Sequence, residues 1–354
     1  MKLKTSITSI ALGAVLVVAG LCAFVKSPSA APAPSPAPSL LINGAGATFP
    51  YPIYSKWFDA YHKLHPDFEF NYQSIGSGGG IRQVIAGTVD FGATDGPMTE
   101  QQLGQAKVKI LHFPTVLGAV VPTYNIPGVN QELNFTPEAL AGIYLGNITK
   151  WNDAAIQGPN PGVKLPDTDI IVVHRSEGSG TTYIFVDYLS KVSDEWKTKV
   201  GKATSVNWPV GLGGKGNEGV AGLVKQQPGA IGYVELIYAI QNNLAYGKVK
   251  NASGAFVKAE LSSVTAAAAA AAKEIPDDFR VSITNAAGKT AYPIASFTWL
   301  LVPSKIDDPA KKKAIVDFLH WMLKDGQDMV ESLNYAKLPK AVVTKEIKAI
   351  SQVN

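Results

Sequence analysis

The chain has 354 residues, 46% of them hydrophobic and 17% charged, and carries a formal net charge of +4. That length accommodates two domains of ordinary size, and the composition excludes a disordered or fibrous chain. Lys2, Lys4 and Lys26 supply most of the excess charge, and no Lys/Arg-rich run is interleaved with aromatics, so nucleic acid is not an expected partner.

The chain begins Met1-Lys2-Leu3-Lys4 and continues as an uncharged apolar stretch from Ile7 to Val25, the pattern of an export signal. The stretch is nearly long enough to span a bilayer. Residues 1–30 therefore read as a signal peptide or an N-terminal anchor. Cys22 is the only cysteine, and the bulky Leu21 before it is a weak match to a lipidation site. Residues 31–39 form a proline-rich linker, extended and semi-rigid.

A short strand, Leu40-Leu41-Ile42-Asn43, runs into Gly44-Ala45-Gly46-Ala47-Thr48-Phe49-Pro50, and a helical pattern follows in Tyr54, Trp57, Phe58, Tyr61 and Leu64. Pro50 suits a first helical turn. The loop is not a dinucleotide fingerprint, because Phe49 occupies the place of the third glycine. Phe68 to Tyr72 alternates as a strand and breaks at Ile75-Gly76-Ser77-Gly78-Gly79-Gly80, with a short helix behind it. So many glycines let backbone N–H groups come close to a ligand. Val89 to Thr94 is a further strand that exits at Asp95. Thr99 and Gln102 form a capping box of their own, which leaves Asp95 free for another task.

Val116 to Tyr124 reads as a buried strand, and helices are expected around Pro137–Tyr144 and Trp151–Ile156. Ile170 to Val173 is a strand that enters His174-Arg175-Ser176-Glu177-Gly178-Ser179-Gly180-Thr181-Thr182, and an amphipathic helix leaves that turn. The unpaired N–H groups and dipole of a helix start, the Ser179, Thr181 and Thr182 hydroxyls, and the guanidinium fork of Arg175 are the chemistry of an anion site. Taken alone, Ser179 also fits a plain helix cap. Pro209 to Glu218 fails the phosphate-loop pattern at both ends, where residue 209 is Pro and residue 216 is Gly, and is expected to be a mobile loop opening the helix Val220–Lys225. Gly229 to Val234 is a strand, Tyr238 to Ala245 a helix, Ala266 to Ala272 a peripheral helix, Ser296 to Val302 a strand, and Lys311 to Leu323 an amphipathic helix.

Strands alternate with helices, so the sheets are expected to be largely parallel, with a ligand beyond their carboxyl ends. Thr48, Ser77, Asp95 and the Arg175–Thr181 loop all lie at such ends. No serine has a nucleophile-elbow context, so the set can hold a small oxyanion without attacking it. The lone carboxylate is informative. Asp95 repels an anion unless the anion carries a proton to donate, and near neutral pH phosphate does while sulfate does not.

The glycine loops at 44–50, 75–80, 90–95 and 175–181, with Gly211–Asn217 and Pro228–Val234, resemble in order those of the phosphate-binding subunits of bacterial phosphate-specific ABC transporters. These are periplasmic substrate-binding proteins, and the resemblance runs from about residue 40 to the C-terminus. It implies an α/β, two-domain periplasmic-binding-protein fold, each domain a mixed sheet flanked by helices. Residues 40–125 plus 292–354 would form domain I and residues 126–291 domain II, with crossovers near Asn125 and Tyr292. It further implies dehydrated inorganic phosphate in the interdomain cleft, held by Thr48, Phe49 through its backbone N–H, Ser77, Asp95, Arg175, Ser179, Gly180 and Thr181. Membrane permease subunits as partners, a monomer, a periplasmic location, and the absence of a metal, cofactor or enzymatic activity follow from the same resemblance. Two residues depart from the family pattern: Glu177 replaces an aspartate that pairs with the arginine, and Gly78 stands where a second serine is often found. A receptor for sulfate or molybdate and a secreted phosphatase are the rival readings; Asp95 argues against the first, the missing nucleophile and metal ligands against the second.

Overall fold

A computed structural model describes residues 39–271 and 275–354. The expected signal or anchor and most of the proline-rich linker lie outside the described residues, as does Ala272.

The fold is a mixed α/β arrangement around one long strand. Strands β1 (Leu40–Gly46), β2 (Phe68–Ser74) and β3 (Phe91–Thr94) are parallel, with α1 (Tyr51–Leu64) and α2 (Ser77–Ala86) as their crossovers. The capping box at Thr99 starts α3 (Glu100–Gln105) as expected. β4 (Ile110–Asn125) then runs for 16 residues, about 50 Å at the rise of a strand, and is buried almost throughout.

Residues Ile110–Ala119 of β4 pair with β12 (Ala295–Pro303), which in turn pairs with β3. Residues Val120–Asn125 pair instead with β8 (Ala230–Glu235), which leads to β6 (Ile171–Arg175) and β7 (Leu212–Gly214). The path of the sheet is thus β2-β1-β3-β12-β4-β8-β6-β7. The pairings of β12 and β4 are antiparallel, so the sheet is mixed rather than largely parallel. A bulge interrupts the β12–β4 register at Thr298/Trp299, opposite Pro114 and Thr115. Proline lacks a ladder donor, and a bulge is where a central strand tolerates it.

Each half of the sheet has its own aromatic packing. Phe58 and Phe70 stack on each other and pack at a tilt against Phe318 of α11 (Pro309–Leu323), with Phe91 edge-on to Phe58. On the far half, Tyr144 of α4 (Pro137–Leu145), Phe185 of α6 (Gly180–Val192), Trp208 and Tyr233 form the counterpart. A short α5 (Ala154–Gln157) follows α4, α7 (Asp194–Lys199) follows α6, and β5 (Asn134–Phe135), β10 (Lys248–Lys250) and β11 (Phe256–Val257) make a small separate sheet.

Four further expectations are corrected. The Gly211–Glu218 segment is not a loose loop: it contains β7, hydrogen-bonded to β6, and the start of α8 (Gly216–Gln226). Helix α9 (Leu236–Gln241) ends early because Asn243 takes a left-handed backbone conformation, φ 54°, and Ala245–Tyr246 becomes β9 on the side of β4. The alanine-rich helix α10 (Leu261–Ala271) is not peripheral; Val264, Ala267 and Ala268 are buried, since methyl groups allow close approach to β4 and β12. Pro50 is the residue before α1 rather than part of its first turn.

A candidate anion-binding site

The carboxyl ends of β1, β3, β6, β7 and β8 and the N-termini of α1, α2, α6 and α8 meet at one place, and all the residues expected from the sequence lie there. Thr48 sits in the turn from β1 into α1, Ser77 is the first residue of α2, and Asp95 follows β3. Arg175 ends β6, and Ser179 caps α6 by accepting from the Thr182 N–H at 3.0 Å. The residues at the N-caps of α1, α2 and α8 offer no side-chain cap, and the dipoles of these helix starts make this corner electropositive.

The polar side chains are withdrawn from solvent: Asp95 is 1% exposed, Thr48 and Arg175 3%, and Ser77, Ser179 and Thr181 0%. Ser77 Oγ accepts from the N–H of Asp95 at 3.2 Å and from that of Gly180 at 3.0 Å. Arg175 donates Nε to Glu177 Oε1 at 2.9 Å and Nη2 to the same oxygen, while Nη1 reaches Thr181 Oγ1 at 3.3 Å. The longer acid thus restores the arginine pair, and Glu177 Oε1 also accepts from the Gly216 N–H at 3.1 Å. Phe49 turns its ring into the core beside Tyr335, whose hydroxyl donates to the Phe49 carbonyl at 2.6 Å.

The two sides of the site touch at glycines. A Cβ on Gly180 would lie 2.5 Å from Ser77 Oγ and 2.6 Å from the Asp95 Cβ. One on Gly78 would lie 3.0 Å from the Gly178 Cα, and the Gly78 N–H donates to the Gly178 carbonyl at 2.9 Å. A side chain at Gly180 would wedge the two sides apart.

With Glu177 occupied by Arg175 and the Gly216 N–H, Asp95 is the other carboxylate among these donors. Burial pushes its pKa up from 3.8 to about 7, opposed by hydrogen bonds from Thr298 and the Ser77 side and by the Arg175 charge. Thr298 Oγ1 donates to Asp95 Oδ1 at 2.8 Å. The arrangement is many fixed donors facing one acceptor, with no nucleophile beside a base. Its chemistry is to hold a small oxyanion that brings its own proton.

Residues 29–325 match the family model described as a PBP superfamily domain. The chain is 48% identical over 319 residues to the phosphate-binding protein PstS of Xylella fastidiosa strain Temecula1, covering 90% of this chain and 86% of that one. It is 48% identical to the PstS of Pasteurella multocida, over 86% and 88% of the two chains, and 40% identical to that of the archaeon Methanocaldococcus jannaschii, over 89% and 87%. The chain belongs to the PstS family. Among solved structures, a phosphate-binding protein from Stenotrophomonas maltophilia superposes with a TM-score of 0.66 at 19% identity, over 88% of this chain and 94% of that one. A high-affinity periplasmic phosphate-binding protein with bound phosphate gives 0.68 at 21% identity, over 88% and 93%. These neighbours share the periplasmic-binding-protein fold.

Against this family background, residues that the sequence reading missed complete the site. Asn217, fully buried at the start of α8, donates its side-chain Nδ2 to Thr48 Oγ1 at 2.7 Å and to Thr181 Oγ1 at 3.1 Å. Its backbone N–H also reaches Thr48 Oγ1, at 3.2 Å, and its Oδ1 accepts from the Glu235 N–H at 2.9 Å. Thr298 supports Asp95 from β12, and Tyr238 donates to the Thr48 carbonyl at 2.5 Å. Glu235 lies behind the site, wholly buried, and caps α9 through Ile237. The only sequence signal for Asn217 was its place after Gly216 in a strand–glycine–helix turn of the kind that supplied Ser77 and Thr181.

Proposed function

We propose that this chain binds inorganic phosphate outside the cytoplasmic membrane and delivers it to an ABC-type phosphate importer. The observation that carries the proposal is the buried carboxylate of Asp95, facing Arg175, Thr48, Ser77 and Thr181 in a site with no attacking group. A protonated phosphate satisfies both halves of that set; membership of the PstS family supports the same ligand. Phosphate contacts come from Thr48, the Phe49 N–H, Ser77, Asp95, Arg175, Ser179, Gly180 and Thr181, with Glu177 holding the arginine. No step of bond making or breaking is part of this role, and neither a cofactor nor a metal takes part in it.

The chain works as two lobes, residues 40–125 plus 292–354 and residues 126–291, which close on the anion as one monomer. The change of β4 partner between Ala119 and Val120 supports a flexing point inside that strand, a few residues before Asn125. The lysines and apolar run before residue 30 support export, followed by cleavage or retention as an anchor with the proline segment as its stalk. The permease subunits of the importer are the partners. Isothermal titration of the exported portion with phosphate and with sulfate tests the proposal: saturable heat with phosphate and at least tenfold weaker sulfate binding is expected. Equal binding of both anions, or of neither, would overturn it.

A further inference from the structure

A threonine or serine hydroxyl has one hydrogen to donate and two lone pairs with which to accept. At Thr48 both lone pairs are taken by one residue, through the Asn217 N–H at 3.2 Å and Nδ2 at 2.7 Å. At Thr181 they are taken by Arg175 Nη1 at 3.3 Å and again by Asn217 Nδ2 at 3.1 Å. The two hydrogens of the Asn217 amide are thus divided between two hydroxyls that reach the site from opposite halves of the sheet. Among the described residues neither hydroxyl donates to another protein group. The amide cannot turn over to accept instead, because its Oδ1 is held by the Glu235 N–H at 2.9 Å, and a flipped amide would set donor against donor there.

From this geometry we infer that Asn217 is a positioning residue: by filling both lone pairs of Thr48 and, beside Arg175, the second lone pair of Thr181, it compels both hydroxyls to donate into the cleft. A hydroxyl left to choose turns its hydrogen to whichever acceptor is nearest and can present a lone pair to an anion, which repels it. With Asn217 in place the donor direction is settled before the ligand arrives, so no reorientation accompanies binding. The same amide ties the β1–α1 turn to α6 and so favours the closed arrangement. Ser77 meets the same condition by other means, its lone pairs filled by the N–H groups of Asp95 and Gly180. The inference rests on the phosphate reading above.

The test is a mutant cycle of phosphate affinity, read by isothermal titration, on the parent, Asn217→Ala, Thr48→Val/Thr181→Val and the triple variant. Asn217→Ala is expected to weaken binding by about tenfold or more in the parent, as two charge-directed donors lose their direction. In the background without the hydroxyls it should change affinity by less than about twofold, because nothing is left for the amide to orient. A residue that merely holds the backbone of α8 would produce the same loss in both backgrounds, and that additive result overturns the inference. Should Asn217→Ala lose its cooperative thermal melt, Asn217→Ser takes its place in the same cycle with the same two outcomes. A parent that binds no phosphate overturns the functional reading and this inference with it, whereas a parent that binds, with an additive cycle, overturns this inference alone.

Discussion

The sharpest consequence of the site concerns the price of a charge at Asp95. Burial raises this carboxyl from 3.8 to about 7, which brings its titration into the neutral range. Phosphate supplies a proton to the ionised form and binds it directly. Sulfate has no proton, and two acceptors would face each other unless Asp95 itself takes one up. Above pH 7 that uptake costs about 1.4 kcal/mol per pH unit, a tenfold loss of sulfate affinity for each unit. Asp95→Asn replaces the acid with an amide whose oxygen still accepts the phosphate proton and whose NH2 can donate to sulfate at any pH. The preference for phosphate over sulfate at pH 8 should therefore shrink by at least roughly tenfold in the variant, about 1.4 kcal/mol. In the parent, sulfate affinity should fall as pH rises from 6 to 9; in Asp95→Asn it should be flat. Competitive titration of both anions on both proteins across that range is the assay. A selectivity that does not move on substitution, or a parent whose sulfate affinity ignores pH, would show that Asp95 has only a structural role and would refute the argument.

Other consequences are simpler. Arg175→Lys keeps the charge but cannot hold Glu177 and an anion with one planar fork, and should weaken phosphate binding by about 1–3 kcal/mol by titration; unchanged affinity would mean that Glu177 alone explains the arginine. Glu346, on α12 (Lys340–Ala349), is wholly buried with neither carboxyl oxygen hydrogen-bonded, and burial holds its pKa well above the usual range. Its contribution is therefore intact below the unfolded-state pKa of 4.5 and lost as pH rises beyond it. Glu346→Gln should accordingly melt higher than the parent at pH 9, by about 1–3 kcal/mol of stability, and the gap should close toward pH 4; a constant gap in thermal melts would contradict this. Closure about β4 and the segment preceding β12 should reduce the radius of gyration in small-angle scattering when phosphate is added, and an unchanged radius would count against two moving lobes.

The local units of this protein were legible in its sequence because each is set by neighbours a few residues apart. Glycine turns between a β-branched run and an amphipathic helix placed Thr48, Ser77 and Thr181 at helix starts, and the Thr99–Gln102 box released Asp95 from capping. The acceptor role proposed for Asp95 rests on charge alone. What the tertiary structure decided were contacts between residues with no relation along the chain. Asn217 reaches Thr48 across 169 positions and Thr298 reaches Asp95 across 203, so no periodicity or spacing marks either one. The Gly211–Glu218 stretch looked loose because glycines carry no packing signal, yet pairing with β6 made it a strand and set Asn217 in the core. The mixed sheet has the same origin: β4 and β12 read as apolar runs whichever way they point, and only their partners fix the direction. Local chemistry can specify which groups will bind an anion. Which neighbours orient those groups depends on chain segments that meet only when the sheet has formed.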